Sequence, residues 1–228
     1  MLYMIGLGLD NNEVTQKGLD ALEEVDEAYA EFYTNTANID LEKLPADIEV
    51  LERKEVEQED KIIEAAEEKD VAFLVSGDPL TATTHYDIKH RAEEKGLKVK
   101  VIHAPSIFTS IAGTGLNVYK FGRTVTLPRE GKPESIKKYI EKNDSIGLHS
   151  LVLLDIDYNA SNAAKKLLDL GLEDREAVVI ERANHEGMNI QASNLEEISE
   201  MNLGETPHSI ILTGEKSFKE KEFIESHE

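Results

Sequence analysis

A chain of 228 residues, 40% of them hydrophobic, is long enough for one large or two modest domains and can fill a core. It contains no cysteine, which excludes disulfides, thiolate metal sites and a thiol nucleophile. Its 46 acidic and 25 basic residues leave a formal charge of −21. Such a surface repels nucleic acid and anionic membranes at long range and reads as a solubility device, one that a salt-rich cytosol would screen.

In chain order, residues 2–7 form the first predicted strand, ended by Gly6-Leu7-Gly8-Leu9-Asp10. Asn11 and Asn12 are candidate caps for a helix over 13–24. The start of the sequence has no basic leader or cleavage pattern, and no apolar run approaches the roughly 20 residues that span a bilayer, so a cytoplasmic protein is expected. A strand is expected over 26–34, a loop or short helix over 35–47 and a short strand over 48–51. Across 58–68, Ile62, Ile63 and Ala66 share one helical face with glutamates opposite.

Val71 to Val75 reads as a buried strand, and Ser76-Gly77-Asp78-Pro79 stops it. Thr81, Thr83 and Thr84 can each cap a helix starting near Thr84 and closed by Gly96. A strand over 99–102 then runs into His103-Ala-Pro-Ser-Ile107. This β-α-β-β-α-β-α-β-α order implies a largely parallel sheet with helices on both faces. The loops after Leu7, Val75 and Ile102 are candidates for one shared edge, the place where open α/β sheets bind ligands.

The glycine-rich stretch 113–122 marks the expected boundary between a domain over 1–113 and one over 114–228. The second half is also α/β. Strands are expected near 124–127, 151–156, 177–180, 188–192 and 209–213, with helices over 134–142 and 160–168. The end, 219–228, is a short helix or a frayed tail.

Known motifs are mostly excluded. Asn11 breaks a Gly-x-Gly-x-x-Gly fingerprint, and neither a phosphate loop nor a Gly-x-Ser-x-Gly elbow occurs. His85 and His90 do not share a helical face. His103, His149 and His208 lie near strand ends but lack supporting carboxylate spacing, so no metal is expected. Asp78 is the acid to single out: it either accepts hydrogen bonds from a ligand or braces its own turn.

Six stretches, in order, resemble the diphthine synthases, methyltransferases of the tetrapyrrole-methylase fold class, also called class III methyltransferases. They are Tyr3-Met-Ile-Gly-Leu-Gly-Leu-Asp10, Ala30-Glu-Phe-Tyr-Thr34, Gly77-Asp-Pro-Leu-Thr-Ala-Thr-Thr-His85, Val101-Ile-His-Ala-Pro-Ser-Ile107, Thr114-Gly-Leu-Asn-Val-Tyr-Lys-Phe-Gly122 and Leu153-Leu-Asp-Ile156. The resemblance implies two α/β domains with S-adenosylmethionine in a cleft between them, and a homodimer. It implies methylation, three times in archaeal members, of the amino group of a 3-amino-3-carboxypropyl histidine on translation elongation factor 2. By matched position it points to Leu9, Asp78, Thr81, Ser106, Ile107 and Leu154 as cofactor contacts, with Ala183 and His208 matched more loosely. Ser76 stands where the family usually has proline, and 128–135 is contracted against a longer family loop. Methyl transfer from a sulfonium is mainly a matter of alignment, so no catalytic dyad is expected. A tetrapyrrole methylase of the same fold and a non-catalytic adenosine-binding module are the alternatives.

Overall fold

A computed structural model describes residues 1–34 and 39–227. Of the loop or short helix expected over 35–47, residues 35–38 lie outside the described residues; a single 3-10 turn, Leu41–Lys43, follows them. The chain divides into two compact units, Met1–Thr109 and Ser110–Glu228.

The first unit runs β1 (Leu2–Gly6), α1 (Gln16–Glu24), β2 (Glu27–Glu31), β3 (Ile48–Val50), α2 (Arg53–Glu57), α3 (Lys61–Glu68), β4 (Val71–Val75), α4 (Tyr86–Glu94), β5 (Val99–Ile102) and α5 (Ile107–Ser110). Its five strands pair in the order β3-β2-β4-β1-β5, all parallel. Both faces are covered, so β1 and β4 are apolar throughout yet still sort by period two. Leu2, Met4, Val71, Phe73 and Val75 pack against Ile62, Ile63 and Ala66 of α3 and Ile88 and Ala92 of α4. Tyr3, Ile5, Ala72 and Leu74 pack against Ala21 and Leu22 of α1 on the other face. The chain thus leaves β1 by α1 on one face and leaves the adjacent β4 by α4 on the opposite face. Such divergence opens a crevice at the carboxyl ends of the two strands.

Local chemistry corrects several expectations. The cap of α1 is Thr15, whose hydroxyl accepts from Gly18 N, rather than Asn11 or Asn12. The expected helix over 58–68 is preceded by a separate short one, α2, held by reciprocal bonds between Glu52 and Glu55. None of the three threonines after Asp78 caps α4; its cap is His85, and Thr83 Oγ1 accepts from His85 N.

The second unit contains β6 (Val125–Leu127), α6 (Glu134–Asp144), β7 (Ser150–Leu154), α7 (Ala160–Asp169), β8 (Glu176–Glu181), β9 (Asn189–Asn194), α8 (Leu195–Glu200), β10 (His208–Leu212) and α9 (Phe218–Glu225). Its sheet, β6-β7-β10-β8-β9, is mixed: β6 and β7 are parallel and the remaining pairs antiparallel. Ile136, Ile140, Ala163, Ala164, Leu167, Leu195 and Ile198 of the helices fill one side against Val152, Val179 and Ile210. Among the described residues no helix is long and apolar enough to cross a membrane.

Candidate functional site

In the first unit three loops meet because β1 lies between β4 and β5. The turns after β1 and β4 are bonded to each other: Gly8 N donates to Gly77 O at 3.2 Å, and Gly77 N to Gly8 O at 2.6 Å. Both glycines are left-handed, at φ +77° and +74°, a conformation that a side chain resists. Gly6 is needed for closeness instead. A Cβ there would sit 2.6 Å from Gly77 O and 2.7 Å from Ala104 Cβ, so glycine draws the ends of β1, β4 and β5 together. A Cβ on Gly77 would lie 3.6 Å from Leu9 Cδ2 and 3.9 Å from Ser106 Cβ. Leu9 and Ser106, expected from separate loops, therefore flank one glycine. Leu9 N donates to Glu13 Oε2 at 2.7 Å, which fixes the first turn.

Asp78 is buried and already braces its loop. Its Oδ1 accepts from Leu80 N at 3.1 Å and from Thr81 Oγ1 at 2.9 Å. Its Oδ2 accepts from His103 Nδ1 at 2.6 Å. A carboxylate offers about four acceptor positions. Three are used here, leaving room for one ligand hydroxyl or ammonium. The turn-brace and ligand-contact readings of Asp78 are thus compatible. Ser106 is fixed by Thr109, whose hydroxyl accepts from Ser106 N at 3.0 Å. Ile107 follows as the first residue of α5.

Sequence reasoning missed two features here. The first is the Asp78–His103 pair, 25 residues apart and joined only through the strand order. The second is a buried polar cluster at the ends of β2 and β4. Glu31, fully buried, accepts from Thr34 N at 3.0 Å and from the Thr34 hydroxyl. His85 Nε2 lies 3.3 Å from Tyr33 Oη, and its ring meets Phe73 edge-on at 5.1 Å. Burial pushes Glu31 up and His85 down to about 4, so both charges are opposed, and their 3.7 Å approach is not a strong ion pair.

In the second unit, Leu154 closes β7, His208 opens β10, and Ala183 follows β8 after Glu181. Register places them on one edge of the sheet: Ser209 faces Leu153, and His208 faces Glu181. His208 uses both ring nitrogens. Nδ1 accepts from Ala160 N at 3.1 Å, which supports the start of α7, and Nε2 donates to Glu205 O at 2.9 Å. Burial lowers its pKa, in keeping with a neutral ring. Beside it, a recess is lined by Glu181, Arg182, Asn189, Gln191 and Glu205, with Gly187 and Gly204. Buried Glu181 accepts there from Asn189 Nδ2 at 2.7 Å, Gln191 Nε2 at 3.2 Å and Gly204 N. The contracted loop after β6 is pinned on this edge: Arg129 N donates to Asp155 Oδ2 at 2.8 Å, and Lys166 Nζ to Arg129 O at 2.9 Å. No three His, Cys, Asp or Glu among the described residues are placed to hold a metal ion.

Comparison with known proteins gives a consistent family. The profile of the tetrapyrrole (corrin/porphyrin) methylases matches residues 1–199. The diphthine synthase of Methanocaldococcus jannaschii is 39% identical over 98% of this chain and 97% of its own. That of Haloquadratum walsbyi is 38% identical over 98% of this chain and 94% of its own. A crystal structure of diphthine synthase superposes with a TM-score of 0.94 at 33% identity, covering 99% of this chain and 95% of the other.

Proposed function

The chain belongs to the tetrapyrrole methylases and, within them, to the diphthine synthases, and on that footing we propose how its sites divide the work. It is an S-adenosylmethionine-dependent methyltransferase of diphthamide biosynthesis. Its substrate is translation elongation factor 2, at a histidine carrying the 3-amino-3-carboxypropyl arm, and three methyl groups are added to the amine. The protein works in the cytoplasm as a homodimer.

The observation that carries the reading is the bonded pair of left-handed turns at Gly8 and Gly77, with Leu9, Asp78 and Ser106 around it. An adenosine ligand needs apolar contact for its ring and an acceptor for its hydroxyls. Leu9 and Ile107 supply the first, and the remaining acceptor position on Asp78 the second. Thr81 holds Asp78 in place. In the second unit, Leu154, Ala183 and His208 are the positions that match cofactor contacts of the family, and they share one edge of that unit's sheet. S-adenosylmethionine brings the methyl group and its sulfonium leaving group. The protein must align the amine and exclude water, which can be worth about 7–11 kcal/mol.

Intact-mass analysis tests the substrate. With enzyme and S-adenosylmethionine, elongation factor 2 bearing the arm should gain three methyl groups, and the unmodified factor none. A precorrin-type tetrapyrrole should stay unchanged. Methylation of the tetrapyrrole with the modified factor untouched would reverse the assignment.

A further inference from the structure

We propose that His103 is the base that takes the proton from the acceptor amine, and that Asp78 is its positioning carboxylate. The proposal rests on the methyltransferase reading above. His103 is the first residue after β5, on the edge where Leu9, Gly77 and Ser106 meet. Its side chain is 70% exposed, whereas that of Asp78 is 8% exposed. The carboxylate can only accept, so Nδ1 carries the proton in the 2.6 Å bond. That leaves the lone pair on Nε2, at the far side of an exposed ring. The other histidines discussed above do not offer this: His85 is buried, His149 is buried with both nitrogens bonded, His208 spends both nitrogens on backbone groups, and His90 lies within α4 rather than on a strand-end loop. Among the described residues Asp78 is the acid in ion-pair contact with His103.

Alignment serves the transfer itself, and such a group adds the deprotonation that must precede it. A primary alkyl amine is mostly an ammonium near neutral pH and has no lone pair to attack with. Nε2 takes a proton as the N–H bond breaks. The freed nitrogen lone pair forms the new N–C bond while the methyl carbon's bond to sulfur breaks, and sulfur keeps that electron pair. The methylated nitrogen is again cationic and must lose a proton before a second and a third transfer. After the third it has none to give, and the reaction stops. Exposure lets His103 pass each proton to solvent, and Asp78 stabilises the imidazolium between transfers, as a buried carboxylate does for a catalytic histidine elsewhere.

His103→Asn separates the two roles. Asparagine keeps an N–H near the Nδ1 position for Asp78 but has no counterpart of Nε2. Calorimetry should find S-adenosylmethionine bound within about twofold of wild type. Single-turnover methylation of the modified elongation factor at pH 7 should be on the order of 10²-fold slower, the lower end of what a positioned base supplies. The deficit should shrink above pH 9, where the amine loses its proton unaided. A full rate in His103→Asn, a deficit constant across pH, or a loss carried entirely by cofactor affinity would each overturn the proposal. A wild-type enzyme that leaves the modified factor unmethylated would overturn the functional reading, and the role of His103 with it.

Discussion

His85 shows how one buried residue sets a pH dependence. Its ring is 1% exposed and lies between Phe73 and Tyr33. Burial holds its pKa at about 4, against an ordinary value of 6.5. The unfolded chain therefore binds a proton that the native ring refuses anywhere in that window. The resulting stability is complete above pH 6.5 and is lost as pH falls towards 4, by about 3 kcal/mol. Glu31, pushed up by burial, acts in the opposite sense: it favours the fold at low pH and costs stability as pH rises. Comparison with His85→Gln isolates the histidine, because Glu31 is common to both proteins. The difference in urea-unfolding free energy between wild type and variant should shrink by about 3 kcal/mol from pH 7 to pH 4. A difference that stays constant would mean that the ring titrates normally.

At the scale of elements, α9 is fixed by one side chain. Glu220 is buried and accepts from Ser217 N at 2.7 Å, Asn117 N at 2.9 Å, Lys120 Nζ at 2.9 Å and His149 Nε2 at 3.1 Å. Burial alone would raise its pKa, but Lys120 and the backbone donors outweigh it and hold the carboxyl well below the usual range. Glu220→Ala strands a buried histidine N–H and two backbone amides and takes the carboxylate partner from the Lys120 ammonium, and should cost about 3–5 kcal/mol. Glu222→Ala removes only an exposed pair with Lys219 and should change stability by less than about 0.5 kcal/mol. Equal effects in urea unfolding would refute the assignment of Glu220 as the anchor. The same scale explains what was legible in the sequence. Strands such as β4 and helices such as α7 announce themselves by apolar runs and stripes. By contrast, α2 has one buried apolar residue, Val56, and α8 spans six residues, so neither completes a readable period. The turns of the candidate site were readable from Gly8, Gly77 and Asp78, because turn chemistry is local. The Asp78–His103 pair and the three antiparallel pairings of the second sheet were not, because both depend on strand order.

At the scale of the whole molecule, a charge of −21 sets two electrostatic terms against each other. Contact pairs such as Lys61–Glu49 at 2.7 Å, Arg91–Asp87 at 2.7 Å and Lys95–Glu67 at 3.0 Å stabilise the fold. They are partly or largely exposed, so each is worth about 0–1 kcal/mol. Repulsion among the excess carboxylates acts over longer distances. The Debye length is about 10 Å at 0.1 M salt and about 3 Å at 1 M. Added salt therefore removes the long-range repulsion first and leaves much of the contact attraction. Stability should rise with potassium chloride, and the melting temperature should climb by several degrees between 0.1 and 1 M, at about 2–4 °C per kcal/mol for a chain of this size. Chloride is the right anion for the test, because sulfate strengthens apolar burial whatever the charge. A melting temperature that falls over this range would show that the ion pairs outweigh the net charge. A rise fits an enzyme whose acidic field also favours the cationic substrate amine proposed above.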